Sequence, residues 1–281
     1  MTKPSLEGQT WLITGASAGF GRALGEAVLA RGGNLVATAR NPAGVADLVA
    51  QAPDRALAAR LDVTDQSSID EALAGAEARF GQVDVVVNNA GFGFLAAIEE
   101  ASDAEVRKLF DANVFGLAAV TRSVLPAMRR RGAGTIINIS SMSGFRASAG
   151  VGYYAASKWA VEAMSEALAR EVAPLGINVL IVEPGPFRTD FAGRSLLRPA
   201  NEIADYVVPN QIRAGSQKGA GNEPGDPVRA AELIIDTALA GGQLRLVVGQ
   251  MGYDGIMSAL EERRLGVELS RELAGQADFP A

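Results

Sequence analysis

Short runs of consecutive apolar residues alternate with longer amphipathic stretches along most of this chain. The apolar runs lie at 10–14, 34–38, 56–61, 83–88, 135–139, 178–182 and 244–248. Helical patterns lie at about 20–31, 42–51, 66–80, 103–130, 154–173 and 226–240. Continuous apolar runs are typical of parallel strands that are buried on both faces. The alternation therefore predicts the α/β class: a Rossmann-like, doubly wound sheet of seven parallel strands with helices on both faces.

Two segments depart from this alternation. Residues 190–227 are rich in Gly, Pro, Asn and Arg, which predicts a mobile surface segment that acts as a lid over a substrate. Residues 250–281 form a C-terminal extension with a helical pattern near 254–275. No linker and no internal repeat is evident, so we expect residues 1–281 to form a single domain.

The overall charge narrows the range of partners. The chain has a formal net charge of −6 and a pI near 4.9, which argues against nucleic acid or an anionic membrane as a partner. No apolar run reaches the length of a membrane span, and the first fifteen residues lack the pattern of a signal peptide. We therefore expect a soluble, cytoplasmic protein that acts on a small molecule.

The absence of two residue types narrows the chemistry. The 281 residues include no His and no Cys. This excludes Ser-His-Asp and Cys-His nucleophilic catalysis, thiol redox chemistry, disulfides and nearly every zinc or transition-metal site. No carboxylate spacing indicates a magnesium site, so we expect no metal. Acid–base chemistry must come from Tyr, Lys, Asp or Glu.

Tyr154 and Lys158 lie four residues apart in a predicted helix, as Tyr-Ala-Ala-Ser-Lys. Residues at this spacing lie on the same helix face, so the phenol and the ammonium share one small volume. A phenol has an ordinary pKa near 10, and a neighbouring ammonium favours its ionised form. The pair therefore predicts a tyrosine whose pKa is lowered toward the neutral range for acid–base catalysis.

A glycine-rich stretch, Thr-Gly-Ala-Ser-Ala-Gly-Phe-Gly at 14–21, joins the first predicted strand to the first predicted helix. Glycines allow backbone N–H groups to approach a pyrophosphate, and a helix N-terminus favours an anion. In a doubly wound sheet, ligands bind beyond the carboxyl ends of the strands, where this stretch lies. The alternative is a tight turn that serves only strand–helix packing.

These motifs together resemble the short-chain dehydrogenase/reductase family. The resemblance covers about residues 8–190 and, more weakly, extends to 250. It depends on TGASAGFG at 14–21, NNAG at 88–91, a serine before the tyrosine, and YAASK at 154–158, in that order. The EPGPFRTDF stretch at 183–191 is similar to the hydroxysteroid- and retinol-dehydrogenase-like branch.

The resemblance implies a catalytic tetrad of Asn113, Ser141, Tyr154 and Lys158. The family's serine lies about thirteen residues before the tyrosine, which selects Ser141 over Ser140, and only Tyr154 has a lysine four residues later. In this family nicotinamide delivers hydride to a carbonyl carbon, the tyrosine protonates the oxygen, and the serine binds that oxygen. The lysine lowers the tyrosine pKa and binds the nicotinamide ribose, and the asparagine kinks a long helix and holds a water. Taken singly, Ser141 could be a turn hydroxyl and Asn113 an ordinary helix amide.

The resemblance also implies a nicotinamide dinucleotide as cofactor. NAD-binding members carry an acid at the end of the second strand, and here that position is Ala39, followed by Arg40. Without an acid to repel a 2′-phosphate, and with a guanidinium to bind one, NADP(H) is favoured. Arg40 could instead be a solvated surface residue, and the basic residue that one NADP-using subgroup carries is Ala18 here. The implied cofactor contacts are Gly15, Ser17, Gly19, Phe20, Gly21, Arg40, Asp62, Val63, Asn89, Ala90, Gly91, Tyr154, Lys158, Pro184, Gly185 and Thr189.

Apolar residues near the motifs suggest a hydrophobic ketone or secondary alcohol as substrate. The candidates are Phe94, Met142, Phe145, Tyr153, Phe187 and Phe191, and ordinary core or lid packing is the alternative for each. The helices at 103–130 and 154–173 form subunit interfaces in relatives, so the resemblance implies a homodimer or homotetramer.

Two other functions remain as alternatives. Non-catalytic dinucleotide-binding sensors or scaffolds share this fold, but they typically lose the tyrosine or the lysine. Epimerases and dehydratases also use a Tyr-x-x-x-Lys pair, but they usually have a different glycine spacing and a larger C-terminal substrate domain. A simple oxidoreductase is the hypothesis that the sequence favours.

Overall fold

The computed structural model describes residues 3–191, 193 and 195–279. Its strands are β1 (Thr10–Ile13), β2 (Asn34–Ala39), β3 (Ala56–Arg60), β4 (Val85–Asn88), β5 (Gly93–Phe94), β6 (Gly134–Ile139), β7 (Ile177–Pro184), β8 (Leu196–Leu197) and β9 (Arg245–Val248). Across the described residues, seven of these strands form one parallel sheet in the order β3-β2-β1-β4-β6-β7-β9. The short strands β5 and β8 pair separately, outside this sheet. The predicted seven-stranded, Rossmann-like fold is confirmed.

The helices connect successive strands and cover both faces of the sheet. They are α1 (Gly19–Ala30), α2 (Ala46–Val49), α3 (Gln66–Phe80), α4 (Asp103–Phe110), α5 (Leu117–Arg131), α6 (Gly152–Val172), α7 (Val207–Gly219), α8 (Pro227–Ala240), α9 (Gln250–Glu268) and α10 (Arg271–Ala274). In β1, Trp11 and Ile13 belong to the core on one face, and Leu12 belongs to the core on the other. Because the strands are buried on both faces, their sequences are continuous apolar runs.

The predicted long helix at 103–130 contains a break. Helix α4 ends at Phe110, residues Asp111–Gly116 form a π-helical turn, and α5 continues from Leu117. Such a turn accommodates one extra residue per turn and is frequent at functional sites. The turn places Asn113 in the interior of the protein, where it is 1% exposed.

The predicted boundaries elsewhere differ in two places. The helix at 42–51 is a 3₁₀ turn, Pro42–Val45, followed by the single turn of α2. The C-terminal helix α9 begins four residues before the predicted 254, and it ends at Glu268. No helix of the described residues is long and apolar enough to cross a membrane.

The central part of the segment at 190–227 forms a regular helix, α7, and the role of the segment as a mobile lid stays a prediction. The helix is fastened by a buried ion pair between Arg213 and Glu100, whose side chains are 2% and 0% exposed. The Arg213 guanidinium binds both Glu100 oxygens, at 2.5 Å and 2.8 Å. Glu100 also accepts from the backbone N–H groups of Ala97 and Ile203. The partners are 113 residues apart in sequence, so local pattern could not reveal this anchor.

We expect Glu100→Gln to destabilise the protein by about 3–5 kcal/mol, because it removes the buried counter-charge of Arg213, for which the partly exposed Glu202 at 3.6 Å is a weak substitute. Urea unfolding would measure the loss, and limited proteolysis would report release of α7. The matched control is Asp103→Asn, which removes the exposed Asp103–Arg107 pair and should cost no more than about 1 kcal/mol. An equal, small effect of both changes would contradict the proposed anchor.

Candidate active site

The glycine-rich turn after β1 is built around three glycines and one asparagine. Gly15 and Gly19 have φ values of +69° and +56°, in the left-handed region that other residues rarely adopt. A Cβ at Gly21 would lie 2.5 Å from both the Asn89 amide nitrogen and the Gly15 carbonyl oxygen. The Asn89 amide donates to the carbonyls of Thr14 and Gly15, at 2.9 Å and 3.1 Å. The Asn89 side chain therefore shapes the turn.

The N-terminus of α1 offers an anion-binding site. No side chain caps this end at Ala18, and the first-turn N–H groups of any helix lack partners within the helix. Thr189 lies opposite: its Cβ is 3.6 Å from where a Cβ of Gly19 would be. This helix end carries the positive end of the helix dipole, which favours an anion such as a pyrophosphate.

The end of β2 places Arg40 at the surface beside Asp62. Ala39 is buried at the last position of β2, and Arg40 follows it with an exposed side chain. Burial opposes ionisation of Asp62, but hydrogen bonds from Thr64 and the charges of Arg40 and Arg60 outweigh it, and the pKa of Asp62 is lowered. The Asp62 carboxylate is therefore ionised at this edge, close to the Arg40 side chain.

Ser141, Tyr154 and Lys158 meet at the carboxyl end of β6. The Lys158 ammonium donates to the Ile139 carbonyl at 2.8 Å, and its nitrogen lies 5.9 Å from the centre of the Tyr154 ring. Ser141 begins the 3₁₀ turn Met142–Gly144, where its hydroxyl also accepts from the Ser143 N–H at 3.1 Å. Ser141 thus begins a turn and also lies beside Tyr154, so the two alternatives for this residue, a turn hydroxyl and a catalytic hydroxyl, are compatible.

The expectation that Lys158 lowers the pKa of Tyr154 is wrong for the protein without cofactor. Burial raises the pKa of Tyr154 to about 12, against a smaller opposite effect of the hydrogen bond with Ser141. Burial likewise lowers the pKa of Lys158 to about 8, against the opposite pull of the Glu162 carboxylate. The loss of water thus disfavours both charged forms more than the neighbouring charges favour them.

Asn113 joins the π-helical turn to the loop after β4 and to α6. Its amide oxygen accepts from the Phe92 N–H at 3.0 Å, and its amide nitrogen donates to the Phe92 carbonyl at 2.9 Å. The same nitrogen donates to Ser157 at 3.2 Å, one residue before Lys158. A Cβ at Gly91 would lie 2.8 Å from the Asn113 oxygen, so this loop requires glycine there.

Comparison with known proteins agrees with this geometry. The sequence profile of the short chain dehydrogenase family matches residues 9–198. This chain belongs to that family of oxidoreductases. The match contains the glycine-rich turn and the cluster around Tyr154.

Individual short-chain dehydrogenases match nearly the whole chain. Oxidoreductase BOA17 of Botryotinia fuckeliana is 34% identical over 269 residues, which are 94% of this chain and 97% of that protein. A short-chain dehydrogenase structure from Streptomyces avermitilis has 43% identity and a TM-score of 0.87, and it covers 96% of this chain and 100% of that one. A 3-ketoacyl-(acyl-carrier-protein) reductase from Brucella melitensis, complexed with NADH, has 28% identity and a TM-score of 0.74. That match covers 87% of this chain and 98% of the reductase.

The six aromatic and apolar candidates for substrate contact do not share one role. The Phe191 ring lies over Tyr154, with ring centres 5.9 Å apart, and is 38% exposed. Phe94 is buried in a small cluster with Tyr153 next to it. Phe191 therefore lies next to Tyr154, whereas Phe94 and Tyr153 belong to a separate apolar cluster.

The other three candidates have packing contacts of their own. Phe187 is buried against Phe20, with ring centres 4.9 Å apart, which places it beside the glycine-rich turn. Phe145 stacks on the Arg245 guanidinium at 4.8 Å. Met142 packs against helix α9 at Gly255. Packing alone accounts for Phe187 and Phe145.

Sequence reasoning missed one buried polar cluster beside the site. Arg245 of β9 binds Glu162 and Glu166 of α6 and Glu183 of β7. Glu162 follows Lys158 by four residues, the same spacing that identified the Tyr154–Lys158 pair, so one signal for it was present in the sequence.

We expect the Tyr154 phenol of the free protein to stay neutral well above pH 10, the ordinary tyrosine value, because its ionised form is desolvated. Ultraviolet difference titration of the wild type against Tyr154→Phe would isolate its ionisation. The change Tyr253→Phe, which removes an exposed phenol on α9, should leave that difference in place. A Tyr154 component that ionises in the neutral range would contradict the assigned burial effect.

Proposed function

We propose that this protein is an NADP(H)-dependent oxidoreductase that interconverts a hydrophobic ketone and a secondary alcohol. The observation that carries this proposal is the buried cluster of Ser141, Tyr154 and Lys158. It lies at the same sheet edge as a glycine-rich turn that fits a pyrophosphate. The 3-ketoacyl reductase from Brucella melitensis, complexed with NADH, supports both a keto substrate and a nicotinamide cofactor.

In carbonyl reduction, each residue of the tetrad has its own role. When bound, the nicotinamide supplies the hydride. Tyr154 donates its phenolic proton to the carbonyl oxygen as negative charge develops there, and Ser141 hydrogen-bonds the same oxygen. The Lys158 ammonium stabilises the resulting phenolate, and Asn113 supports the return of a proton through water.

The free protein holds Tyr154 in its proton-donating form. With its pKa raised to about 12, the phenol carries its proton throughout the neutral range and is available as a donor to a carbonyl oxygen. The same residues serve the reverse reaction with the phenolate as base, so the net direction follows the ratio of reduced to oxidised cofactor.

The surroundings of Tyr154 support an apolar substrate. Phe191 covers its ring, and Phe94 and Tyr153 line the adjacent loop. Helix α7, anchored through Arg213, lies in the segment that follows Phe191. We propose that this segment is the lid over the substrate that the sequence predicts. An apolar ketone would bury its carbon framework against these side chains and present its oxygen to the tyrosine.

We expect Tyr154→Phe to lower the turnover of NADPH with apolar ketones by about 10²–10⁴-fold, because it removes the proton donor and leaves the cleft intact. Absorbance of the reduced nicotinamide would measure turnover, and calorimetry should show NADPH binding unchanged. The control Tyr253→Phe should retain wild-type turnover. NADPH binding by the wild type with no turnover on any ketone would favour the dinucleotide-binding sensor instead.

Arg40→Ala should weaken NADPH binding by about 10- to 100-fold and leave NADH binding nearly unchanged, because the lost charge-assisted bonds involve only the 2′-phosphate. Calorimetric titration with each cofactor measures the two dissociation constants and hence their ratio. Arg60→Ala is the matched control: Arg60 lies opposite Ala39 on the neighbouring strand and pairs with Asp65. A wild type that binds NADH more tightly than NADPH would overturn the cofactor assignment and leave the catalytic residues unaffected.

A further inference from the structure

The cluster around Arg245 contains more buried acid than base. Its guanidinium binds Glu162 at 2.5 Å and also contacts Glu183 and Glu166. The side chains of Glu183 and Glu162 are 1% and 8% exposed, whereas that of Glu166 is 40% exposed. Three carboxylates and one guanidinium would carry a net charge of −2, which is costly away from water.

This cluster holds a proton in the neutral range. Burial and the neighbouring Glu162 charge together raise the pKa of Glu183 to about 7, against the opposite effect of Arg245. Burial also raises the pKa of Glu162, although Ser140 and Arg245 oppose that effect. As pH increases through neutrality, the cluster therefore becomes more negative.

Glu162 brings this charge to the face of α6 that carries Lys158. Tyr154, Lys158 and Glu162 follow one another at four-residue intervals along one face of α6. A Cβ at Gly144 would lie 2.8 Å from Glu162 Oε1 and 2.9 Å from the Ser140 hydroxyl, so these two atoms flank the turn that begins at Ser141. Within the described residues, both atoms are buried and neither makes a hydrogen bond of ordinary geometry.

Lys158 needs a counter-charge of this kind. Its side chain is buried, and an ammonium has three N–H donors, of which one binds the Ile139 carbonyl. A neutral carbonyl does not compensate for the lost hydration of a full charge. Glu162 is the carboxylate that pulls the pKa of Lys158 upward, against burial.

We propose that Glu162 is a positioning residue that keeps Lys158 protonated, and that Arg245 and Glu183 set the charge of Glu162. The effect on turnover rests on the proposed function, whereas the effect on Lys158 does not. When the cluster ionises above neutral pH, its negative charge would hold the proton on Lys158 more strongly, in the pH range in which Lys158 would otherwise lose it. The charged and polar groups around this face are Tyr154, Glu162 and Glu166 of α6, Ser140 and Ser141 after β6, Arg146 of the following loop, Glu183 of β7, Arg245 of β9 and Arg263 of α9.

The test is an NMR titration of the free protein labelled with ¹³C at lysine Cε. The chain has only four lysines, Lys3, Lys108, Lys158 and Lys218, and Lys158→Arg assigns the relevant signal. In Glu162→Gln, which removes the charge and keeps the shape, the Lys158 midpoint should fall by on the order of one pH unit. Glu162→Asp should restore most of the wild-type value.

Two control variants separate this effect from general damage to the cluster. Glu166→Gln removes an exposed partner of the same guanidinium and should leave the Lys158 midpoint unchanged. Glu183→Gln leaves Glu162 as the only buried carboxylate of the cluster, so the Lys158 midpoint should not fall. An unchanged midpoint in Glu162→Gln, or an equal fall in all three glutamine variants, would overturn the proposal.

A second measurement connects the cluster to catalysis. If the proposed reduction occurs, the alkaline limb of its kcat profile should move to lower pH in Glu162→Gln by the same amount as the Lys158 midpoint, with the KM for ketone unchanged. A shifted Lys158 midpoint without any turnover would reject the proposed function and retain the Glu162–Lys158 link. Turnover with a normal alkaline limb in Glu162→Gln would overturn the catalytic part of the link.

Discussion

The arrangement of this active site depends on one buried ammonium at the end of a buried strand. Lys158 reaches across from α6 to the carbonyl of Ile139, the last residue of β6. This bond fixes the register between helix and sheet, so Tyr154 one turn earlier comes to lie beside Ser141. The cost of removing the ammonium from water exceeds what that carbonyl and Glu162 one turn later return, so the pKa of Lys158 is lowered. The Lys158 side chain thus connects the four-residue spacing to Tyr154, the end of β6 and the charge of Glu162.

The same desolvation decides the chemistry that the site can perform. It raises the pKa of Tyr154 and lowers that of Lys158, so both groups lie closer to their neutral forms than they would in water. A neutral phenol donates a proton, and a partly destabilised ammonium gains the most from a phenolate that forms beside it. A site with low dielectric therefore stabilises charge where it develops during reduction. The buried acid behind Lys158 supplies the counter-charge that keeps this arrangement intact.

The fold was predictable from the sequence because its main signal is local. Trp11, Leu12 and Ile13 are buried on alternate faces, and this two-sided burial produces the continuous apolar runs that identified the strands. The glycine-rich turn was predictable for the same reason, since Gly15 and Gly19 have backbone conformations that require glycine.

Features that depend on distant residues could not be predicted in this way. Helix α7 is held by Arg213 on Glu100, and Arg245 binds Glu162 from 83 residues away. The pKa of Tyr154 was predicted in the wrong direction because the spacing to Lys158 is visible in the sequence and the burial is not. The π-helical turn that carries Asn113 has no signature in the helical periodicity, but the family resemblance implied a kink in the long helix at this residue.

The most direct test of hydride transfer is the fate of deuterium from NADPH that carries deuterium at both nicotinamide C4 positions. The labelled cofactor would be incubated with the protein and a panel of apolar prochiral ketones, and the products analysed by mass spectrometry and chiral chromatography. We predict one enantiomer of the secondary alcohol, with a single deuterium on its carbinol carbon. Oxidation of the cofactor without label in the product would contradict hydride transfer to the ketone. Binding of NADPH without any alcohol formed would contradict the assignment as an oxidoreductase of ketones.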